Sequence, residues 1–535
     1  MDKVNEINNL LKKFIDTNNI IYYNKLKRLL NEDSQNNYLR FNLAVLETDM
    51  GLINNAIEKY KFLLDSEYKI KALTNIYLIE ISKRSYASAL KYIDKLLDIN
   101  KNDREVLIDK SNVLNSLGLL SHELRESKKA EKNFLKALEI NNDSLEIINN
   151  LAGFYREEGN YKKAIKLYKK ALLLDQKNVT VINNLSKTFF DMNNMLESKK
   201  YAFIGKEIDK NNSDLRNNLS FIYLKEQKYY EAWRNFEGRL HLPNFKKNNL
   251  YSNILIDKIY KGNKLKYDDN ILVVREQGIG DEILYSSMYK DLLKNFDNVT
   301  IECDRRLKKL FNNSFNKHNC FRNFGEITND INKLKKYNVV LYAGSLGRFF
   351  RNKLTDFEGN QYIFAENKRI QNFKSEFNKF DKKHKIGVSW KSFKNRYSNE
   401  KSITLKELIS VLETKDCTLI SLQYGNIKSE LFSFNDQSEI NIQNLNKLDI
   451  YNDFDNLAAA LSNLDLFITV SNSTAHLAGA LGVKTILVKP INHATYHYWN
   501  QNGKKTPWYK SLTLVDKNKF FANKHSLLNL VNKNK

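Results

Sequence analysis

Three positions in the first half of the chain recur at intervals of 34 residues. Ala130, Ala164, Ser198 and Ala232 share one. Phe134, Tyr168, Ala202 and Phe236 share the next, and Leu117, Leu151, Leu185 and Leu219 the third. A fixed period of this length means that the segment consists of copies. One copy is too small to bury a core alone, so the copies must stack on one another. Within a copy, the small residue suits the point where two helices cross closely, and the larger one fills the space beside it. The 535 residues contain three prolines, Pro243, Pro490 and Pro507, all at or beyond the end of the repeats. With few breakers, residues 1–240 read as nearly continuous helix.

The clearest copy runs through Leu151, Ala152, Tyr155, Gly159, Tyr161, Ala164, Tyr168, Ala171 and Asp175. Its spacing matches the tetratricopeptide pattern of paired antiparallel helices. Less regular copies centre on Ala56-Ile57-Tyr60 and Ala89-Leu90-Ile93, and Gly118 is read as marking a further turn. The aromatics of these copies read as core packing, and no residue in them points to catalysis. A stacked array leaves a concave face for an extended ligand, which predicts a peptide-like or protein partner. The last copy ends in YYEAWRNFEGRL, Tyr229 to Leu240, and Pro243 with the polar run Lys246–Asn249 marks a boundary. The predicted organisation is an all-α solenoid over 1–242 and a linker over 243–267.

From about residue 268 the period changes. Ile271–Val274, Val299–Cys303, Val339–Leu341, Ile386–Ser389, Thr418–Leu422, Leu466–Val470 and Thr485–Val488 are short apolar runs of buried-strand type. Helical patterns such as Glu282–Leu293, Leu405–Leu412 and Asn456–Ser462 separate several of them, which argues for parallel sheets covered by helices. Lys353–Lys383 is polar and strand-poor and is predicted to link two such sheets. The fold class is therefore α followed by α/β. Two Rossmann-like lobes, 268–370 and 371–535, are expected to hold a cleft at the carboxyl ends of their strands.

Composition narrows the class. No apolar run approaches the ~20 residues of a membrane span, and the opening MDKVNEINNLLKK lacks a signal-peptide core. No stable membrane insertion and a cytoplasmic location are expected. Cys303, Cys320 and Cys417 have no metal-ligand spacing and read as reduced thiols. The net charge of +24 comes from lysines scattered over both halves among abundant Asn and Ile. No basic patch stands out, and no nucleic-acid partner is expected.

Three clusters follow predicted strands. Arg275-Glu276-Gln277-Gly278-Ile279-Gly280-Asp281-Glu282 comes directly after the first, and its glycines permit tight turning and close approach of a ligand to backbone. It lacks the third glycine and the later acid of a dinucleotide fingerprint. Asp281 suits either a helix cap or the acceptance of a proton from an attacking hydroxyl. Ser389-Trp390-Lys391-Ser392 follows the strand that opens the second lobe. Lys391 there is either a solvated lysine or a phosphate partner, with Ser389 or Ser392 as hydrogen-bond donors, and Arg396 and Lys401 lie nearby. The third cluster, Ile468–Gly482, reads ITVSNSTAHLAGALG: a strand end, an Asn472-Ser473-Thr474 turn and a helix opening on Ala475 and His476. A helix N-terminus with free N–H groups, hydroxyls and an imidazole suits a phosphate. Gly479–Gly482 reads instead as close helix packing and a C-terminal stop.

Together these stretches resemble bacterial tetratricopeptide-repeat proteins whose C-terminal domain is related to the family 9 glycosyltransferases, the heptosyltransferase relatives. The resemblance rests on YYEAWRNFEGRL, EQGIGDE, IGVSW, ISLQ (Ile420 to Gln423), NLAAALSNLDLFITVSNSTAHLAGALG and Pro507-Trp508-Tyr509, in that order. It implies a GT-B fold in which the C-terminal lobe binds a nucleotide-sugar donor and the N-terminal lobe meets the acceptor. It also implies inverting transfer without a bound metal or any cofactor beyond the nucleotide sugar as co-substrate. By the same resemblance Asp281 is the general base, and Thr474, Ala475 and His476 hold the donor diphosphate. Lys391 corresponds to the basic residue after the first strand of the second lobe. Gly278, Gly280, Ser389, Gln423 and Ser473 complete the expected donor-binding set. One departure stands out: Ser471 occupies a position where many relatives carry an acid. The aromatic tail with Tyr496, His497, Tyr498 and Trp499 reads either as a stacking surface for a base or sugar or as a seam between lobes.

The expected activity is direct displacement at an anomeric carbon, with Asp281 deprotonating the acceptor hydroxyl and Lys391, His476 and the helix end stabilising the leaving diphosphate. The repeats would recruit a protein, peptide or glycan acceptor. Asp453-Phe454-Asp455 looks like a metal-binding D-x-D but sits where a helix cap is expected. The rival expectation is a non-catalytic interaction scaffold with a degenerate transferase domain. A nucleotide-dependent epimerase or dehydrogenase lacks its fingerprint.

Overall fold

The computed structural model describes residues 2–243, 245, 255, 258–260, 262, 264–315, 320–393, 398–445, 448–490, 496–499 and 503–532. Most of the expected linker and Arg396 lie outside these residues. The chain divides into two compact units, Met1–Thr188 and Phe189–Lys535.

The described residues of the first unit form an all-helical array, with consecutive helices such as Leu145–Glu157 and Tyr161–Leu174 packed against each other. The 34-residue period sets not only the core but the ends of the helices. Ser144, Asn178 and Asn212 lie one period apart, and each side-chain oxygen accepts a backbone N–H three residues on, at 3.4, 3.1 and 3.1 Å. Arg125, Gly159, Asn193 and Gln227 recur at the same interval with φ of 62°, 76°, 62° and 59°, the left-handed residue that ends one helix and turns the chain into the next. Ala130, Ala164, Ser198 and Ala232 are fully buried. Gly118 differs from its expectation as a turn: it lies inside the helix Arg104–Glu123. A Cβ there would stand 2.8 Å from the Phe134 ring, so the glycine serves close helix crossing and not chain reversal.

The second unit begins with the helices Met195–Ile208, Ser213–Lys225 and Tyr229–Phe236 and continues into two parallel sheets. The first contains β1 (Ile271–Val274), β2 (Val299–Cys303), β3 (Phe321–Asn323) and β4 (Val339–Tyr342) in the order β3-β2-β1-β4. The second contains β5 (His384–Ser389), β7 (Cys417–Ser421), β8 (Ile442–Asn444), β9 (Leu466–Val470), β10 (Thr485–Lys489) and β11 (Leu512–Asp516) in the order β11-β10-β9-β5-β7-β8. A short pair, β6 (Leu412–Glu413) with β12 (His525–Ser526), lies apart. All pairings are parallel, with registers such as Ile271↔Val299 and Val388↔Ile468. Strands buried on both faces explain the continuous apolar runs of β1, β9 and β10. In each sheet the strand order reverses once, between β1 and β4 and between β5 and β9, and ligands of parallel sheets favour the crevice outside such points.

The last helical hairpin is built into this unit. Trp233, buried on the helix Tyr229–Phe236, donates its indole N–H to the Arg351 carbonyl at 2.7 Å. Its ring lies on Gly347, where any Cβ would collide with it. Trp508 meets Trp233 edge-on at 6.3 Å. Gly347→Ala should therefore overpack this seam and destabilise the second unit by about 1–3 kcal/mol. Urea unfolding measures it, and an unchanged midpoint would mean that the ring is not seated on this backbone.

Candidate functional site

The turn after β1 is held from below by a buried ion pair. Glu276 accepts two bonds from Arg239, Nε to Oε2 at 2.8 Å and Nη2 to Oε1 at 2.7 Å, and a third from the Gly344 backbone N–H at 2.6 Å. Burial opposes the charge on Arg239, but Glu276 outweighs it and holds the guanidinium above its ordinary value. Behind it, Glu282 accepts the Asp304 N–H at 2.7 Å and lies 2.7 Å from Arg275 Nε, while burial pushes its carboxyl up to about 7. Between these anchors Gln277 takes a left-handed conformation, φ 63°, uncommon outside glycine and a mark of a constrained turn. The helix Ile279–Ser286 starts there, and Asp281 accepts the Gly278 N–H at 3.2 Å.

The opposite wall comes from the switch point of the second sheet. Asn472 caps the helix Ser473–Ala480 by accepting the Ala475 N–H at 3.0 Å, and it donates to Ser389 Oγ at 2.9 Å. Ser389 Oγ donates to Gln423 Oε1 at 3.1 Å, which also accepts the backbone N–H of Trp390 and of Lys391 at 2.7 and 2.6 Å. This relay ties the ends of β5, β7 and β9 together. Lys391 turns aside and donates to Glu430 Oε2 at 2.6 Å. Ser471, where the resemblance expects an acid, accepts the Trp499 indole N–H at 2.8 Å.

The two walls enclose a cleft of about 400 Å³. Of the expected catalytic and donor-binding set, Gly278, Gly280, Asp281, Ser473 and His476 line it. Ser389, Lys391, Gln423, Thr474 and Ala475 stand behind the wall; Thr474 and Ala475 are buried, and Ser389 and Gln423 belong to the relay. The helix starts meet closely, since a Cβ on Gly280 would lie 3.0 Å from His476 Cδ2. Asp453 is an N-cap, accepting the Asn456 N–H at 2.9 Å.

Ser392, offered by the sequence as a hydrogen-bond donor, and the buried Lys401, noted near it and 4.1 Å over the Tyr496 ring, bring hydroxyl and charge where Lys391 was expected to. Arg306 and Phe221 escaped the sequence reading. Arg306 enters from the end of β2, oriented by Asp304 at 2.8 and 2.9 Å, and donates to the Tyr451 carbonyl at 3.1 Å. Phe221 and Phe236 of the last helical hairpin form one side. The charged run Asp304-Arg305-Arg306 after a strand was the available signal for Arg306; nothing local marks Phe221, whose role depends on tertiary packing.

His476 sits in an aromatic cage. Its ring stacks on Trp499 at 4.6 Å, meets Tyr498 edge-on at 4.8 Å, and Nδ1 shares a hydrogen bond with Tyr509 at 3.0 Å. Burial, helped by His497 and Lys401, lowers it to about 3, so it is a neutral hydrogen-bonding group. The aromatic tail is thus largely a packed seam: Tyr498, Trp499, Trp508 and Tyr509 are buried. Gly479 admits the Tyr509 ring, and Gly482, φ 72°, ends the helix, as the sequence predicted for that segment.

Residues 154–193 match the TPR repeat family and residues 111–144 the tetratricopeptide repeat, so the helical array carries tetratricopeptide repeats. Such arrays are surfaces for binding other chains and imply a protein partner. Protein FlbA of Caulobacter vibrioides is 25% identical over 256 residues, 45% of this chain and 42% of FlbA, so the chain spans less than half of that relative's length. Among solved structures, the TPR protein YrrB, described with an unusual peptide-binding site, is 16% identical with a TM-score of 0.27, over 36% of this chain and 95% of its own. A tetratricopeptide repeat protein from Parabacteroides merdae is 18% identical with a TM-score of 0.30, over 48% of this chain and 96% of its own. Among the described residues, no helix is long and apolar enough to cross a membrane.

Two outcomes follow from the charges. Arg239→Met strands the Glu276 carboxylate and should cost about 3–5 kcal/mol in chemical unfolding, whereas Arg239→Met with Glu276→Gln should cost less than the sum of the single changes. Additive losses would show that the two do not act as a pair. His476 and His497 are both lowered to about 3 in the folded chain, against 6.5 when unfolded. The unfolded chain therefore binds more protons between these values. Their contribution is complete above pH 6.5 and falls as the pH drops towards 3, by about 1.4 kcal/mol per pH unit for each. His476→Gln should flatten the dependence of urea-unfolding stability on pH between 6.5 and 4.5 by about that slope; an unaltered slope would place the ring in water.

Proposed function

We propose that the second unit is a glycosyltransferase of GT-B arrangement that transfers a sugar from a nucleotide-sugar donor to an acceptor hydroxyl with inversion. In this reading residues 268–370 form the acceptor lobe, 371–535 the donor lobe, and the tetratricopeptide array over 1–242 brings in a protein, peptide or glycan acceptor. The observation that carries it is the convergence of two strand-to-helix turns, Gly278–Asp281 and Asn472–His476, on one cleft at the switch points of two parallel sheets.

The residues divide the chemistry naturally. The acceptor oxygen attacks the anomeric carbon, its proton passes to the Asp281 carboxylate, and the bond to the diphosphate oxygen breaks with its electron pair leaving on the nucleotide. The helix start at Ser473, the Ser392 hydroxyl, Lys401 and the neutral His476 ring face the place where that negative charge would grow. Lys391, held by Glu430, supports the reading less than Lys401 does. The alternative, a non-catalytic scaffold with a degenerate transferase domain, draws on Ser471, an uncharged residue committed to Trp499 where many relatives carry an acid.

A panel of nucleotide sugars, scored for donor hydrolysis and for transfer, separates the two. Asp281→Asn should lower turnover by about 10²–10⁴-fold while leaving nucleotide binding in place. Nucleotide binding without turnover of any donor would favour the scaffold, and a wild-type chain that binds no nucleotide would overturn the enzyme reading.

A further inference from the structure

His497 is the exception in a well-satisfied wall. Its neighbours are paired: His476 with Tyr509, Trp499 with Ser471, and the Tyr498 carbonyl with Thr506 Oγ1 at 2.7 Å. Both ring nitrogens of His497 are buried, and among the described residues neither has a hydrogen-bond partner. Burial pushes the imidazole down to about 3, so it is neutral at physiological pH, with one N–H to donate and one bare nitrogen to accept. A buried donor and acceptor left unmade are destabilising, and such a group in a native cleft calls for an explanation.

The surroundings indicate what would satisfy it. His497 lines the cleft beside Phe221, with ring centroids 5.8 Å apart, and Phe221 meets Phe236 edge-on at 6.1 Å. These rings belong to the last helical hairpin. Ser392, Lys401 and the helix start at Ser473, the groups suited to phosphate, line the same cleft as this aromatic corner, with Lys401 4.1 Å over the Tyr496 ring. A ligand for the corner needs an apolar face to lie on Phe221 and oxygens able both to donate and to accept. A sugar ring has both: its C–H face packs on an aromatic side chain, and its hydroxyls serve either role.

We propose that His497 and Phe221 form a sugar-binding acceptor subsite, so that the last helical hairpin supplies part of the reaction chamber itself. One ring nitrogen accepts a sugar hydroxyl, and the other donates to a second oxygen of the same ligand. Calling this sugar the acceptor rests on the glycosyltransferase reading; its binding at His497 does not. His497 acts here as a positioning group, with proton removal left to Asp281.

Saturation-transfer difference NMR on the full chain tests it, with a panel of methyl pyranosides as acceptor probes and UDP, GDP and ADP as donor probes. Wild type should saturate the ring protons of at least one glycoside. His497→Ala and Phe221→Ala should each weaken that glycoside about tenfold with nucleotide signals unchanged, and thermal unfolding of each variant separates lost binding from the packing that Phe221 gives up. His497→Asn, which keeps a donor and an acceptor, should recover part of the binding. The subsite is overturned if no glycoside binds wild type, if His497→Ala binds it as wild type does, or if that variant loses the nucleotide instead. Binding of a Ser/Thr peptide with no glycoside would overturn it too. Failure of the transferase reading looks different: no nucleoside diphosphate signal from wild type, whatever the glycosides do.

Discussion

The bond between Arg239 and Glu276 governs the geometry of everything above it. Both oxygens of the carboxylate are used, and the guanidinium also donates to the Phe236 carbonyl and to Ser345 Oγ, at 3.0 Å each. Two charges with almost no exposure are tolerable only in each other's company, since either alone would be left in a medium that solvates it poorly. The helical hairpin that carries Arg239 and the turn that begins with Glu276 are therefore obligatory neighbours. That neighbourhood holds the start of the helix Ile279–Ser286 against the second sheet. The hairpin is thus a structural part of the cleft as well as the end of a repeat array.

The cleft joins two copies of one architectural solution. In each sheet a strand reverses the order of its neighbours, and a helix starts just beyond its carboxyl end. One start is secured by a buried ion pair and the other by the Asn472–Ser389–Gln423 relay. Each helix start thus has its own buried, hydrogen-bonded support.

The fold was largely legible in the sequence because its determinants are periodic. The 34-residue interval marked the array, and doubly buried strands wrote β1 and β9 as almost wholly apolar runs with the observed ends, while β2 was legible with Thr300 and Glu302 inside it. The short β3 and β8, three residues each, and the partly exposed β11 lack such runs and went unnoticed. Gly118 misled because a glycine that admits an aromatic ring is spelled like one that turns a chain. At the site, the turns after β1, β5 and β9 and the aromatic tail were found, and Arg306 and Phe221 were not. Lys391 and Lys401 show the limit: both are lysines in a lysine-rich loop region, and only the position of Glu430 decides which turns away. Phe221 looks like any core aromatic of a repeat until the chain beyond it folds back.

The position of the unit boundary has an evolutionary consequence. Tandem duplication or loss of a 34-residue copy changes the length of the array in the first unit one step at a time. The hairpin anchored by Trp233 and Arg239 lies in the second unit and is excluded from that traffic. A change in repeat number within the first unit therefore leaves every residue that lines the cleft in place in the sequence of the second.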